Sequence, residues 1–170
     1  MAAPITGGLD ITGAGVQPVP PGSHWGNATG VDFTSTGTTS NGQGTYVGTN
    51  GQAVTFTDFT FNPLNASTPL VLWQFSMGMV NYSFELTVIN SKFQTGNNQS
   101  SFMALLGEGI LRADGYEDTK ASWSFTANSA QSQLSFSSSQ AAVVPEPATM
   151  SLLGLGLLGS AVAARRRRNQ

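Results

Sequence analysis

The sequence predicts an all-β chain, an antiparallel β-sandwich of jelly-roll-like character, followed by a single C-terminal transmembrane helix. Three observations lead to that class. Apolar residues alternate with Ser, Thr and Glu over short runs, which is the period of a strand with one buried face. Gly, Asn, Pro and Asp, the residues that supply turn geometry, separate those runs. The final 27 residues, Val144–Gln170, break the pattern with a Pro-Glu-Pro, an uncharged apolar stretch and four arginines.

Residues 1–51 are rich in Gly, Thr and Pro. Gly8-Leu9-Asp10-Ile11-Thr12-Gly13 and Gly30-Val31-Asp32-Phe33-Thr34-Ser35 each read as a short strand, with a central Asp between two apolar residues. Turn signals at Ser40–Gly44 and Asn50-Gly51 bracket a further strand around Tyr46 and Val47. Val54–Thr57 and Phe59–Phe61 alternate on opposite registers, so a bulge or a strand end is expected at Thr57–Asp58. Val71, Trp73, Phe75 and Met77 should share one face of the next strand, and Tyr82, Phe84, Leu86 and Val88 one face of its hairpin partner. Phe102–Leu106 and Ile110–Ala113 read as two strands joined near Gly107-Glu108-Gly109. Trp123 and Phe125 then alternate with Ser124 and Thr126, and Leu134 with Phe136 marks a last strand. The implied organisation is an exported domain over 1–136, a Ser/Ala linker at 137–143 and a terminal unit at 144–170.

Composition narrows the function. The chain carries −2 overall, but residues 1–144 hold eight acids (nine less Glu146) against Lys92, Arg112 and Lys120, a net −5. Such a body does not bind nucleic acid by charge. The absence of cysteine excludes disulfides, thiol catalysis and thiolate metal sites. A secretory leader is expected upstream of Met1-Ala2-Ala3-Pro4, because no base precedes Lys92 and no apolar run opens the chain.

Candidate sites are sparse. Asp114, Glu117 and Asp118 put three carboxylates on a glycine-containing loop, hard oxygen ligands of the kind Ca²⁺ takes. Their spacing is not that of an EF-hand, and a solvated hairpin turn accounts for them equally well. Glycosidase chemistry needs two facing carboxylates, and Asp58, Glu85, Glu108 and Glu117 could in principle provide a pair, but any body of this length holds that many acids and the signal is nearly empty. A Ser-His-Asp triad would have to use His24, the one histidine, and no Gly-x-Ser-x-Gly elbow accompanies it. Trp73 and Trp123 lie in alternating runs and belong in the core. Trp25, Tyr46 and Tyr116 lie near turns and are the candidates for stacking on a sugar ring. No cofactor is expected.

The tail is the specific signal. Pro145 and Pro147 fix φ and lack an amide hydrogen, which keeps Val144-Pro145-Glu146-Pro147 extended. Residues 148–164 are uncharged and form a helix about 25 Å long at ~1.5 Å per residue, near the short limit for a bilayer core. Gly154, Gly156 and Gly159 are poor helix formers in water and better tolerated in membranes. Arg165, Arg166, Arg167 and Arg168, opening the basic stretch 165–170, stop transfer and favour a cytoplasmic C-terminus. Motif, helix and basic cluster in this order resemble the PEP-CTERM sorting signal of Gram-negative bacteria, over about a sixth of the chain.

That resemblance implies recognition by exosortase, an integral-membrane protease-transpeptidase that removes the tail. It implies a precursor held in the inner membrane, and a body delivered to the cell surface or extracellular matrix. The expectation is therefore a non-enzymatic structural protein of biofilm or exopolysaccharide. The alternatives are a carbohydrate-binding module and an uncleaved membrane-anchored protein.

Overall fold

The computed structural model describes residues 2–129 and the strand Gln133–Ser138. Twelve strands make up almost all regular structure there: β1 (Ala3–Pro4), β2 (Leu9–Val19), β3 (Gly30–Phe33), β4 (Gly37–Ser40), β5 (Ala53–Phe56), β6 (Phe59–Thr60), β7 (Leu70–Met77), β8 (Val80–Gly96), β9 (Ser101–Ala113), β10 (Tyr116–Glu117), β11 (Thr119–Asn128) and β12 (Gln133–Ser138). One 3₁₀ turn, Gly44–Tyr46, interrupts them.

The main sheet runs β12-β11-β9-β8-β7-β5-β4-β2, and β12 also pairs with β2. The ladder thus returns to its own start, every pair in it antiparallel. The first half of β2 carries β4 and β12, while its second half, Val16–Val19, carries β3, which in turn pairs with β6. Gly13, at φ +79°, has no partner between Thr12 and Ala14 in the β2–β12 ladder, a bulge that a residue with a Cβ would resist. The all-β antiparallel class is as expected. The connectivity is not that of a jelly roll, because most neighbours in this sheet are neighbours in sequence, an up-and-down order.

Burial follows the alternation where the pleat is regular. In β11, Ala121, Trp123, Phe125 and Ala127 face inward and the residues between them outward. Trp73 and Trp123 are both core residues, as expected. Trp73 lies 6.1 Å from Phe84, and Phe59 meets Trp123 edge-on at 6.0 Å. Rings buried so completely contribute about 1.5–3 kcal/mol each by transfer, before any gain from their mutual geometry.

Four expectations need correction. The segment at Tyr46 and Val47 is the 3₁₀ turn, tied down by Thr45 donating its N–H to the Thr6 carbonyl, and not a strand. A bulge between Val71 and Trp73 turns Val71 out and buries Leu72 beside Trp73. A second bulge, between Leu86 and Val88, leaves Val88 half-buried and buries Ile89 instead. Ser101–Ala113 is one continuous strand, and Gly107 and Gly109 are inward-facing positions within it. A Cβ at Gly107 would lie 2.4 Å from the Val88 carbonyl oxygen and 3.2 Å from the Trp123 ring, and one at Gly109 2.2 Å from the Glu85 carbonyl oxygen and 2.4 Å from the Phe84 ring. The glycines admit the close approach of the β8 backbone and of those rings, and do not make a turn.

Candidate functional site

The approach to the C-terminal tail is part of the sheet. β12 pairs with β2 from Gln133↔Gly15 to Ser138↔Leu9, and touches β11 at Ser124↔Ser137. Being antiparallel to β11, it leaves toward the end where β11 begins, beside Asp114-Gly115 and the Gly78-Met79 turn. The strand extends two residues into the stretch expected as linker. Val144, Pro145, Glu146, Pro147, the apolar segment 148–164 and Arg165–Arg168 lie outside the described residues. Among the described residues no helix is long and apolar enough to cross a membrane.

The aromatic candidates separate by burial. Trp25 is buried, its ring 6.4 Å from Phe125 and its backbone N–H donated to the Ser101 hydroxyl. Tyr46 is fully buried, 5.6 Å from the ring of Tyr82. Neither presents a face to a sugar: a turn in the sequence put both on the surface, but in each case the turn folds back onto the core. Tyr116, at 39 % exposure, is the one of the three that meets solvent. Burial and the neighbouring Tyr116 phenol raise the pKa of Tyr82 above the usual tyrosine value.

The carboxylates are also dispersed. Asp114 accepts hydrogen bonds from the backbone and side-chain N–H of Asn81, at 3.1 and 2.7 Å. Asp118 accepts from Arg112 Nε at 3.1 Å, and the same guanidinium pairs with Glu85. The hydrogen bond to Glu85, chiefly, raises the already high pKa of Arg112. Glu117 is exposed on β10, opposite Pro4. Among the described residues no group of three potential ligands gathers around one point, so the loop does not bring Asp114, Glu117 and Asp118 together as a Ca²⁺ cage. Asp58 accepts from the Phe33 N–H, and Glu108, in the middle of β9, accepts from the Asn90 side chain on neighbouring β8. His24 sits in a tight turn, its Nδ1 accepting from the Gly26 N–H at 3.1 Å.

What the sequence reading missed is a groove of about 410 Å³ on the outside of β5, β7 and β8. Thr55, Gln74, Ser76, Asn81 and Ser83 give it uncharged donors and acceptors, and Ala53, Phe75 and Tyr82 complete the lining. Its only signal in the sequence was the polar half of the alternation, which reads as solvent-facing surface whether or not it is concave.

The described all-β domain ends in β12, six residues before Pro145 in the sequence. Residues 143–168 match the family model of the PEP-CTERM protein-sorting motif, so the chain carries that motif. The motif implies recognition by exosortase, a membrane-anchored precursor and export to the surface. No curated protein and no solved structure matches the chain.

Proposed function

We propose that this is a non-enzymatic structural protein of the cell surface or biofilm matrix, sorted by exosortase through Val144-Pro145-Glu146-Pro147. The observation that carries the reading is the match over 143–168. Pro145 and Pro147 hold the recognition segment extended, and Glu146 is its polar mark. Residues 148–164 park the precursor in the inner membrane as a helix, and Arg165–Arg168 keep its C-terminus cytoplasmic. The engagement of Asp58, Glu85, Glu108, Asp114 and Asp118 in structural contacts favours a body without catalytic or metal chemistry.

Intact mass and cell fractionation test the sorting. In an exosortase-positive host the chain should lose its tail and leave the inner membrane. Replacing Pro145-Glu146-Pro147 by three alanines should leave it full-length and membrane-bound. An unchanged mature size and location in that variant refutes the sorting reading, and an uncut wild-type chain makes the protein a plain membrane anchor.

The outer groove favours a second reading, a carbohydrate-binding module, since hydroxyls and amides without charge suit sugar hydroxyls. Retention on matrix polysaccharide that Gln74→Ala abolishes would establish it. Retention unaffected by Gln74→Ala and lost on Tyr116→Ala would move the site to the exposed tyrosine, and no retention leaves the structural role.

A further inference from the structure

We infer that in the membrane-held precursor the domain stands with one particular end, formed by the Met79 turn, Val47 and Tyr116, against the outer surface of the bilayer. The inference rests on the proposed membrane span at 148–164 and adds an orientation and a contact surface to it.

Pairing geometry identifies that end. β12 runs toward the start of β11, and Tyr82 at the start of β8 pairs with Ala113 at the end of β9. The Gly78-Met79 turn is therefore beside Asp114, as the Asn81–Asp114 hydrogen bonds confirm. Tyr46 packs on Tyr82, which brings the adjacent Val47 to the same place. Tyr116 follows directly on Gly115, and β10 pairs with β1 there.

Single exposed apolar residues are ordinary. Here three share the end toward which β12 runs. Met79 is 96 % exposed at a hairpin tip, where the turn itself asks for nothing apolar, and Val47 is 69 % exposed. The tether is short: nine residues separate Ser138 from Ala148, a reach of about 35 Å at most. Phe93, also exposed, lies near the far end of β8, roughly 40 Å along the strand from Met79 at ~3.3 Å per residue. β12 runs toward the Met79 end and away from Phe93, so the tether sets out in the direction of that end. Asp114, Glu117 and Asp118, with Arg112 and Lys120, share this end, which suits a neutral lipid surface better than a strongly anionic one.

The chain has no cysteine, so single labels are unambiguous. Full-length Met79→Cys and Phe93→Cys chains, made in a host without exosortase, are labelled with a fluorophore and reconstituted into phosphatidylcholine vesicles containing a headgroup-level nitroxide lipid. Both positions are exposed, and the circular dichroism of each variant is checked against wild type. The expected result is flotation with the vesicles and quenching several-fold stronger at position 79 than at 93. Flotation with equal quenching, or stronger quenching at 93, overturns the orientation and leaves the membrane span intact. Failure to float overturns both.

Discussion

Replacing Gly109 by Ala tests whether β9 is continuous. Gly109 has an ordinary φ, so alanine meets no backbone strain there, and the cost comes only from space. Its Cβ would lie 2.2 Å from the Glu85 carbonyl oxygen and 2.4 and 2.6 Å from two atoms of the Phe84 ring. The ring has room to move only at the expense of Trp73, 6.1 Å away, and the carbonyl belongs to the paired strand β8. Overpacking of this kind costs about 1–3 kcal/mol, and the backbone clash places Gly109→Ala at the upper limit. With a urea slope of 1–3 kcal/mol/M, a loss of ~3 kcal/mol lowers the unfolding midpoint by about 1–3 M. Urea titration of the tail-cleaved protein, followed by tryptophan fluorescence, measures it. Were residues 107–109 an exposed turn, the same change would instead stabilise by about 0.4–1 kcal/mol through the unfolded chain. An unchanged or raised midpoint therefore refutes the packing argument outright.

Two further predictions concern the same domain. Because the Tyr82 phenol is raised above its usual value, both folded and unfolded chains keep that proton below about pH 10, and no stability is lost there. Above that pH the unfolded chain releases the proton while the fold retains it, so the urea midpoint should fall as pH rises further, and Tyr82→Phe should reduce the fall. A stop codon after Ser129 removes β12 and with it the pairing to β2, and should abolish cooperative thermal unfolding and expose the chain to limited proteolysis. A stop after Val143 keeps β12 and should melt like the processed protein.

How much of this was legible in the sequence depended on whether the pleat was regular. β11 could be read directly, because Trp123 and Phe125 alternate without interruption. β7 and β8 could not be read through to their ends. Their bulges each slip the side chains by one position, so Val71 and Val88 exchange roles with Leu72 and Ile89, residues equally apolar. Nothing in composition separates such pairs. Gly107 and Gly109 misled for a different reason: glycine marks both a turn and a place where a ring comes close, and only the position of Phe84 and Trp123 decides. Trp25 and Tyr46 sit in turn-like sequence, yet their backbones donate or lie beside hydrogen bonds that pull them over the core. The tail was legible because its meaning lies in linear order, which needs no tertiary information.

The pairing of β12 with β2 sets an order of events for an exported chain. The first half of the first long strand finds one of its two neighbours only in β12, near the end of the described residues, so the ladder cannot close until that strand is available. Contacts of such long sequence separation form late and slowly. On the proposed export route the sheet is therefore still open until β12 has crossed the membrane, the point at which the tail is held in the bilayer and presented to exosortase. The exosortase cut, should it fall at the motif, comes after β12 and removes only the address, leaving every described strand of the sheet in place.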